Sequence, residues 1–192
     1  SIITDSYKNP FVHYINSMTN ASAGNENAIA EAQVGNPYFE KIRVPNPIAD
    51  FVFDQIRNNQ SVILTGNAGD GKTTIAEEVC RRFGAPVHKL KKKIEINEGR
   101  IVVIKDMSEF SRSERIAILQ EAIGKSSRVF LIVSNTGALL ECGSEVSVAQ
   151  KEKSELSSML LEAMSADEPT EIYDGRVLLV NIGRLDSIDI AC

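Results

Sequence analysis

The chain has no tryptophan, only two histidines and three cysteines, and no apolar run long enough to cross a membrane. Each scarcity excludes something. His13 and His88 leave a histidine-rich metal site or a histidine-based catalytic triad short of parts. Cys80, Cys142 and Cys192 are far apart and show no C-x-x-C spacing, which excludes a zinc ribbon and a disulfide-framework miniprotein. A membrane helix needs roughly 18 consecutive apolar residues, and no segment approaches that. No Lys/Arg-led signal segment opens the chain, which begins at Ser1 rather than at methionine. The expectation is a cytoplasmic protein, and a piece of a longer one.

What is present is the composition of one globular domain: 192 residues, 43% hydrophobic and 24% charged, with apolar side chains enough for a core. A formal net charge of −5 speaks against a generic nucleic-acid or membrane-binding surface. The charge is unevenly spread. Residues 81–100 hold seven lysines and arginines against Glu95 and Glu98, a net of +5, which leaves −10 for the rest. Two expectations attach to that stretch. It is a lysine-guarded sheet edge, or a local contact to a DNA phosphate backbone that would weaken steeply with salt.

Residues 1–36 read as an N-terminal arm or linker with short helices, within 7–18 and around 27–33, and 37–192 as the core domain. Order sharpens where Asn46 can cap a helix opened by Pro47 and stopped at Asn58-Asn59. Ser61 to Thr65 is a strand, and a helix runs to Phe83 before Gly84 and Pro86. Residues 87–100 read as one strand or as a hairpin turning at Asn97-Glu98-Gly99. Ile101 to Ile104 and Val129 to Val133 are uninterrupted apolar runs, as in parallel strands covered on both faces. Ser111 and Glu114 form a capping box before a helix that reaches about Gly124. A helix over 154–166 and a strand at 177–180 follow. Strands alternating with helices predict an α/β layered fold with a mostly parallel sheet.

Between the first strand and its helix lies Gly66-Asn67-Ala68-Gly69-Asp70-Gly71-Lys72-Thr73, the G-x-x-x-x-G-K-[ST] phosphate-binding loop. Its glycines let successive N–H groups turn inward at phosphate oxygens. The following helix adds its positive N-terminal end. Lys72 can then reach the β- and γ-phosphates of ATP, Thr73 can ligate Mg²⁺, and Thr74 extends the loop contacts. Asp106, at the end of the 101–104 strand, is the expected second Mg²⁺ residue, against a plain helix-capping role. Met107 stands where many AAA+ ATPases carry a glutamate, so Glu109 is the candidate that orients the attacking water. Asn135, ending the 129–133 strand, is the candidate water positioner, since ligands sit outside the carboxyl ends of parallel strands. Arg184, after the last strand, is a candidate phosphate or trans-acting arginine. Val44 and Pro45 are candidates for contacts to the base.

These residues carry a resemblance. The loop with its Asn-Ala and Asp choices, the run Ile104-Lys105-Asp106-Met107-Ser108-Glu109, and Ser134-Asn135-Thr136-Gly137 resemble the DptF family. That family comprises ATP-binding components of bacterial DNA phosphorothioation-dependent restriction systems. The resemblance spans roughly residues 43–185. It implies a P-loop NTPase three-layer sandwich, an AAA+-like core without its C-terminal helical lid. It also implies an Mg²⁺-dependent ATPase that works with other subunits of a restriction complex, reaches DNA through that assembly and can oligomerise, with no membrane. Two alternatives stand beside it: a nucleotide-binding regulatory switch with little turnover, and an AAA+-like DNA-remodelling ATPase of another system. A metabolite kinase needs a basic lid over the phosphates, whereas residues 138–174 hold nine acids against Lys151 and Lys153.

Overall fold

The computed structural model describes residues 46–67, 69–85, 91–150, 155–173 and 175–185. The chain divides into two compact units, Ser1–Phe51 and Val52–Cys192, and the whole sheet lies in the second. The short helices expected within residues 1–36, and the boundary expected after them, lie outside the described residues.

Helix α1 (Pro47–Arg57) starts as its sequence dictates. The Asn46 side-chain oxygen accepts the N–H groups of Ile48 and Ala49, at 3.1 and 3.2 Å. It stops at Asn59, whose φ of +66° no helix can continue. Strand β1 (Ser61–Thr65) is buried along its whole length. The phosphate-type loop leads from it into α2 (Lys72–Arg82).

Strands β2 (Lys93–Ile96) and β3 (Ile101–Ile104) form an antiparallel hairpin, turning through Asn97, Glu98 and Gly99 in left-handed backbone. A single 3₁₀ turn (Met107–Glu109) and α3 (Arg112–Ile123) come next, α3 opened by the expected capping box. Then follow β4 (Val129–Val133), α4 (Thr136–Gln150), α5 (Glu155–Ser165), β5 (Thr170–Ile172), β6 (Val177–Asn181) and the one-turn α6 (Ile182–Leu185).

The strands make one six-stranded sheet in the order β2-β3-β4-β1-β6-β5. The four central strands are parallel and in step: Ile104 pairs with Ile132, Ile132 with Ile63, and Ile63 with Leu179. Alternation then sorts the side chains. Ile63, Val102, Ile104, Phe130, Ile132, Val177 and Leu179 join one core with residues of α3, α4 and α5. Val62, Leu64, Val103, Leu131, Val133, Leu178 and Val180 point to the other face and are equally buried. Burial on both faces is why these strands read as continuous apolar runs, and the fold is the expected α/β, P-loop NTPase-like sandwich. The outer strands β2 and β5 are the antiparallel ones. At the β2 edge, Lys93 pairs with Glu95 at 3.1 Å, and Lys92 with Glu114 at 3.7 Å while lying 4.0 Å from the Phe110 ring.

Helix α4 and strand β5 have no counterpart in the sequence reading. The reason for α4 is physical: Gly143, Glu145 and Ser147 are buried beside Leu139, Cys142 and Val146, so small and polar residues blur the apolar period on the covered side. Glu145 is satisfied by Arg115 of α3, whose guanidinium reaches it at 2.7 and 3.2 Å and also donates to the Phe110 carbonyl. Burial pushes the thiols of Cys80 and Cys142 up to about 11 and about 12, so neither is a nucleophile at neutral pH.

Gly143 is where α5 comes close. A Cβ there would stand 2.6 Å from Leu160 Cδ1. Glycine to alanine within a helix ordinarily gains about 1 kcal/mol. Here an overpacking cost of about 1–3 kcal/mol should cancel or outweigh that gain, and Gly143→Ala should lose up to about 2 kcal/mol in urea unfolding.

Candidate functional site

Because β1, β3, β4 and β6 run parallel, their carboxyl ends share one edge of the sheet, and the chemistry-bearing residues follow directly from three of them. A cleft of about 450 Å³ opens there. It is lined by Gly69 to Thr74 after β1, by Lys105 and Asp106 after β3, and by Val133 and Asn135 at the end of β4. The sheet order puts β4 between β1 and β3, so Asn135 stands on the strand between those that lead to Lys72 and to Asp106.

The loop's shape depends on glycine at two positions above all. Gly66 has φ +148°, and a Cβ there would sit 2.7 Å from Asp70 Oδ2 and 3.3 Å from the Gly183 nitrogen. Gly71 holds the turn into α2 at φ +81°, and nothing lies within 4 Å of where its Cβ would be. The second position faces open space, as a loop built to receive a ligand must. Within the loop, the Asn67 peptide is held from both sides. Its N–H donates to Asp70 Oδ2 at 2.5 Å, and its carbonyl accepts from the Lys72 ammonium. Asp70 thus braces the outer turn of the loop against Gly66 and Gly183. Ala68 lies outside the described residues, as do Val44 and Pro45.

Asp106 caps a turn and also lines the cleft. Its carboxylate accepts the Ser108 N–H at 2.9 Å and the Ser108 hydroxyl at 2.8 Å, capping the 3₁₀ turn. Asn135 caps in a similar way: its Oδ1 accepts the Ala138 N–H at 2.8 Å, which leaves its NH₂ as a donor. Asn135 thus lines the cleft with its oxygen committed and a donor to spare. Thr73 is exposed and Lys72 half-buried, both at the mouth of α2.

Two expected residues stand apart from the cleft. Glu109 is exposed and 3.6 Å from the Lys105 ammonium. Arg184 pairs with Asp167 at 2.9 Å on the surface. Conversely, Lys105 and Val133 line the cleft without having been singled out in the sequence. The signal for Lys105 was its place: a lysine directly after a buried strand and directly before the expected metal acid.

The donor set suits a nucleotide with magnesium. Hydroxyl and carboxylate oxygens are hard ligands of the kind Mg²⁺ takes, and one or two such protein groups are enough because the ion keeps water and phosphate oxygens. Thr73 and Asp106 supply them in one cleft, facing a loop with open space above Gly69 and Gly71. Among the described residues there is no cluster of three or more His, Cys, Asp or Glu close enough to cage a metal on its own. Residues 44–128 match a protein-family model described as Novel STAND NTPase 3. The match supports a nucleotide-binding NTPase. It takes in the loop, the β2–β3 hairpin, Asp106 and α3, and its description names no substrate beyond the nucleotide class. No curated protein and no solved structure matches the chain. No helix among the described residues is long and apolar enough to cross a membrane.

Gly66→Ala tests the loop geometry. Backbone strain of about 1–3 kcal/mol at φ +148°, with the added clash on Asp70, should lower the unfolding midpoint and weaken ATP binding together.

Proposed function

We propose that the chain binds ATP with Mg²⁺ and hydrolyses it, as the ATPase subunit of a bacterial DNA phosphorothioation-dependent restriction system. The observation that carries the chemical part is the single cleft joining Lys72, Thr73, Asp106 and Asn135 from three strand ends. The restriction part rests on the resemblance of the loop and the two strand-end runs to the DptF family.

On this reading each residue has a role. The backbone N–H groups of Gly69 to Thr73, at the positive end of α2, cradle the phosphates. Lys72 exchanges the Asn67 carbonyl for phosphate oxygens. Thr73 and Asp106 would hold a magnesium ion, which would supply positive charge to offset that of the phosphates. The Asn135 NH₂ donates toward the attacking water or the γ-phosphate. Glu109 can orient that water only after leaving Lys105.

A second reading, a nucleotide-dependent switch with little turnover, has one specific observation in its favour. Met107 directly follows Asp106, and the nearest following carboxylate, Glu109, is paired with Lys105 and does not itself line the cleft. Partner subunits, oligomerisation, a trans-acting role for Arg184 and a DNA contact through residues 81–100 belong to the proposal for the whole assembly. At the edge strand, engagement of Lys92 and Lys93 with Glu114 and Glu95 favours the edge-guarding role over the DNA contact.

Phosphate release, measured with and without DNA, separates the readings. Lys72→Ala removes charge-assisted contacts worth about 1.5–3 kcal/mol, so ATP affinity should fall roughly tenfold to a hundredfold. Asp106→Asn should abolish Mg²⁺-dependent hydrolysis while ATP binding persists; unchanged hydrolysis would remove Asp106 from the site. Wild type that binds ATP but turns over no faster than Lys72→Ala would establish the switch instead.

A further inference from the structure

The cleft contains a cation that the phosphate-loop motif does not account for. Lys105 lines it on the wall opposite the loop, beside Asp106 and next to the strand that carries Asn135. Its backbone N–H is tied to the Lys92 carbonyl at 3.2 Å, which fixes the root of the side chain at the strand end. Among the described residues its ammonium faces Glu109 Oε1 at 3.6 Å, beyond hydrogen-bond reach and between side chains 28% and 41% exposed. Such a pair is weak and readily exchanged.

The charge pattern gives that lysine a use. Two lysines and two aspartates line the cleft, so Lys72 and Lys105 offset Asp70 and Asp106. Asp70 is turned toward Asn67, Gly66 and Gly183, on the β1–β6 side. The β3–β4 side therefore holds Lys105 with Asp106 and the donor end of Asn135. A triphosphate carries more negative charge than a diphosphate, and beyond Lys72 and a bound magnesium ion the cleft offers one further cation, Lys105, among its lining residues.

We propose that Lys105 is a specificity-determining residue that recognises the terminal phosphate and so distinguishes nucleoside triphosphate from diphosphate. The inference rests on the nucleotide-binding reading and adds to it which residue tells the two ligands apart. Lys105 lies 3.6 Å from Glu109. A terminal phosphate draws the ammonium across, and Glu109 is released from its ion pair in the same exchange. No bond is made or broken in this step; one ion pair replaces another.

The test is calorimetric titration of the full 192-residue chain with Mg·AMP-PNP and with Mg·ADP. Wild type should bind both. Lys105→Met should weaken AMP-PNP about tenfold or more, the loss of one charge-assisted contact, and change ADP by less than about twofold. Lys105→Arg should restore most of the preference, and Glu109→Gln, which frees the ammonium, should strengthen AMP-PNP while leaving ADP unchanged. Retained ADP binding also shows that each variant is folded. Equal losses for both ligands in Lys105→Met, or no loss for either, would overturn the role of Lys105 while leaving nucleotide binding in place. Wild type that binds neither ligand would instead overturn the nucleotide reading itself.

Discussion

Four strands that run the same way and stay in register make everything else at the site possible. Ile104, Ile132, Ile63 and Leu179 lie in one row across β3, β4, β1 and β6, and each strand ends within a residue or two of that row. Helices cover both faces, so the row cannot slip without exposing an entire set of apolar side chains. The same constraint delivers Lys105, Ser134 and Gly66, one to three residues past that row, to one edge of the sheet. The cleft is a consequence of register before it is a consequence of any functional residue.

At that edge, the groups that do chemistry also hold local structure. Asp106 caps a 3₁₀ turn and faces the cleft, and Asn135 caps α4 and faces the cleft. A capping side chain has a fixed rotamer and one committed oxygen, so its remaining polar atom arrives oriented. Asp70 does the corresponding work within the loop, where Gly66 and Gly183 leave it room. Gly183 sits in helical backbone that any residue could adopt, so its lack of a Cβ reflects the carboxylate 3.2 Å from where that Cβ would be.

Much of this was legible in the residues. The phosphate loop, the buried strands, the capping box at Ser111 and the hairpin at Asn97 all depend on local signals. A fixed motif, a run of β-branched side chains or a turn residue with positive φ carries its own explanation. What was not legible depends on tertiary context. Helix α4 buries Glu145 and Ser147 with its apolar residues and has two glycines, so neither amphipathic period nor propensity marks it. Glu109 and Arg184 were placed near the cleft by analogy of spacing, but spacing does not reveal that Lys105 and Asp167 stand ready to pair with them. Lys105 was overlooked for the converse reason: a lysine between a strand and an acid looks like surface until the sheet order is known.

Backbone hydrogen exchange of the intact chain, with and without Mg·ATP, tests the central claim most directly. If the cleft is the phosphate site, nucleotide should slow exchange at the amides of Gly69 to Thr74 and around Asn135. The far end of the sheet, at Asn97 to Arg100, should be unaffected. Slowing confined to regions away from the loop, or no change anywhere at saturating nucleotide, would contradict it.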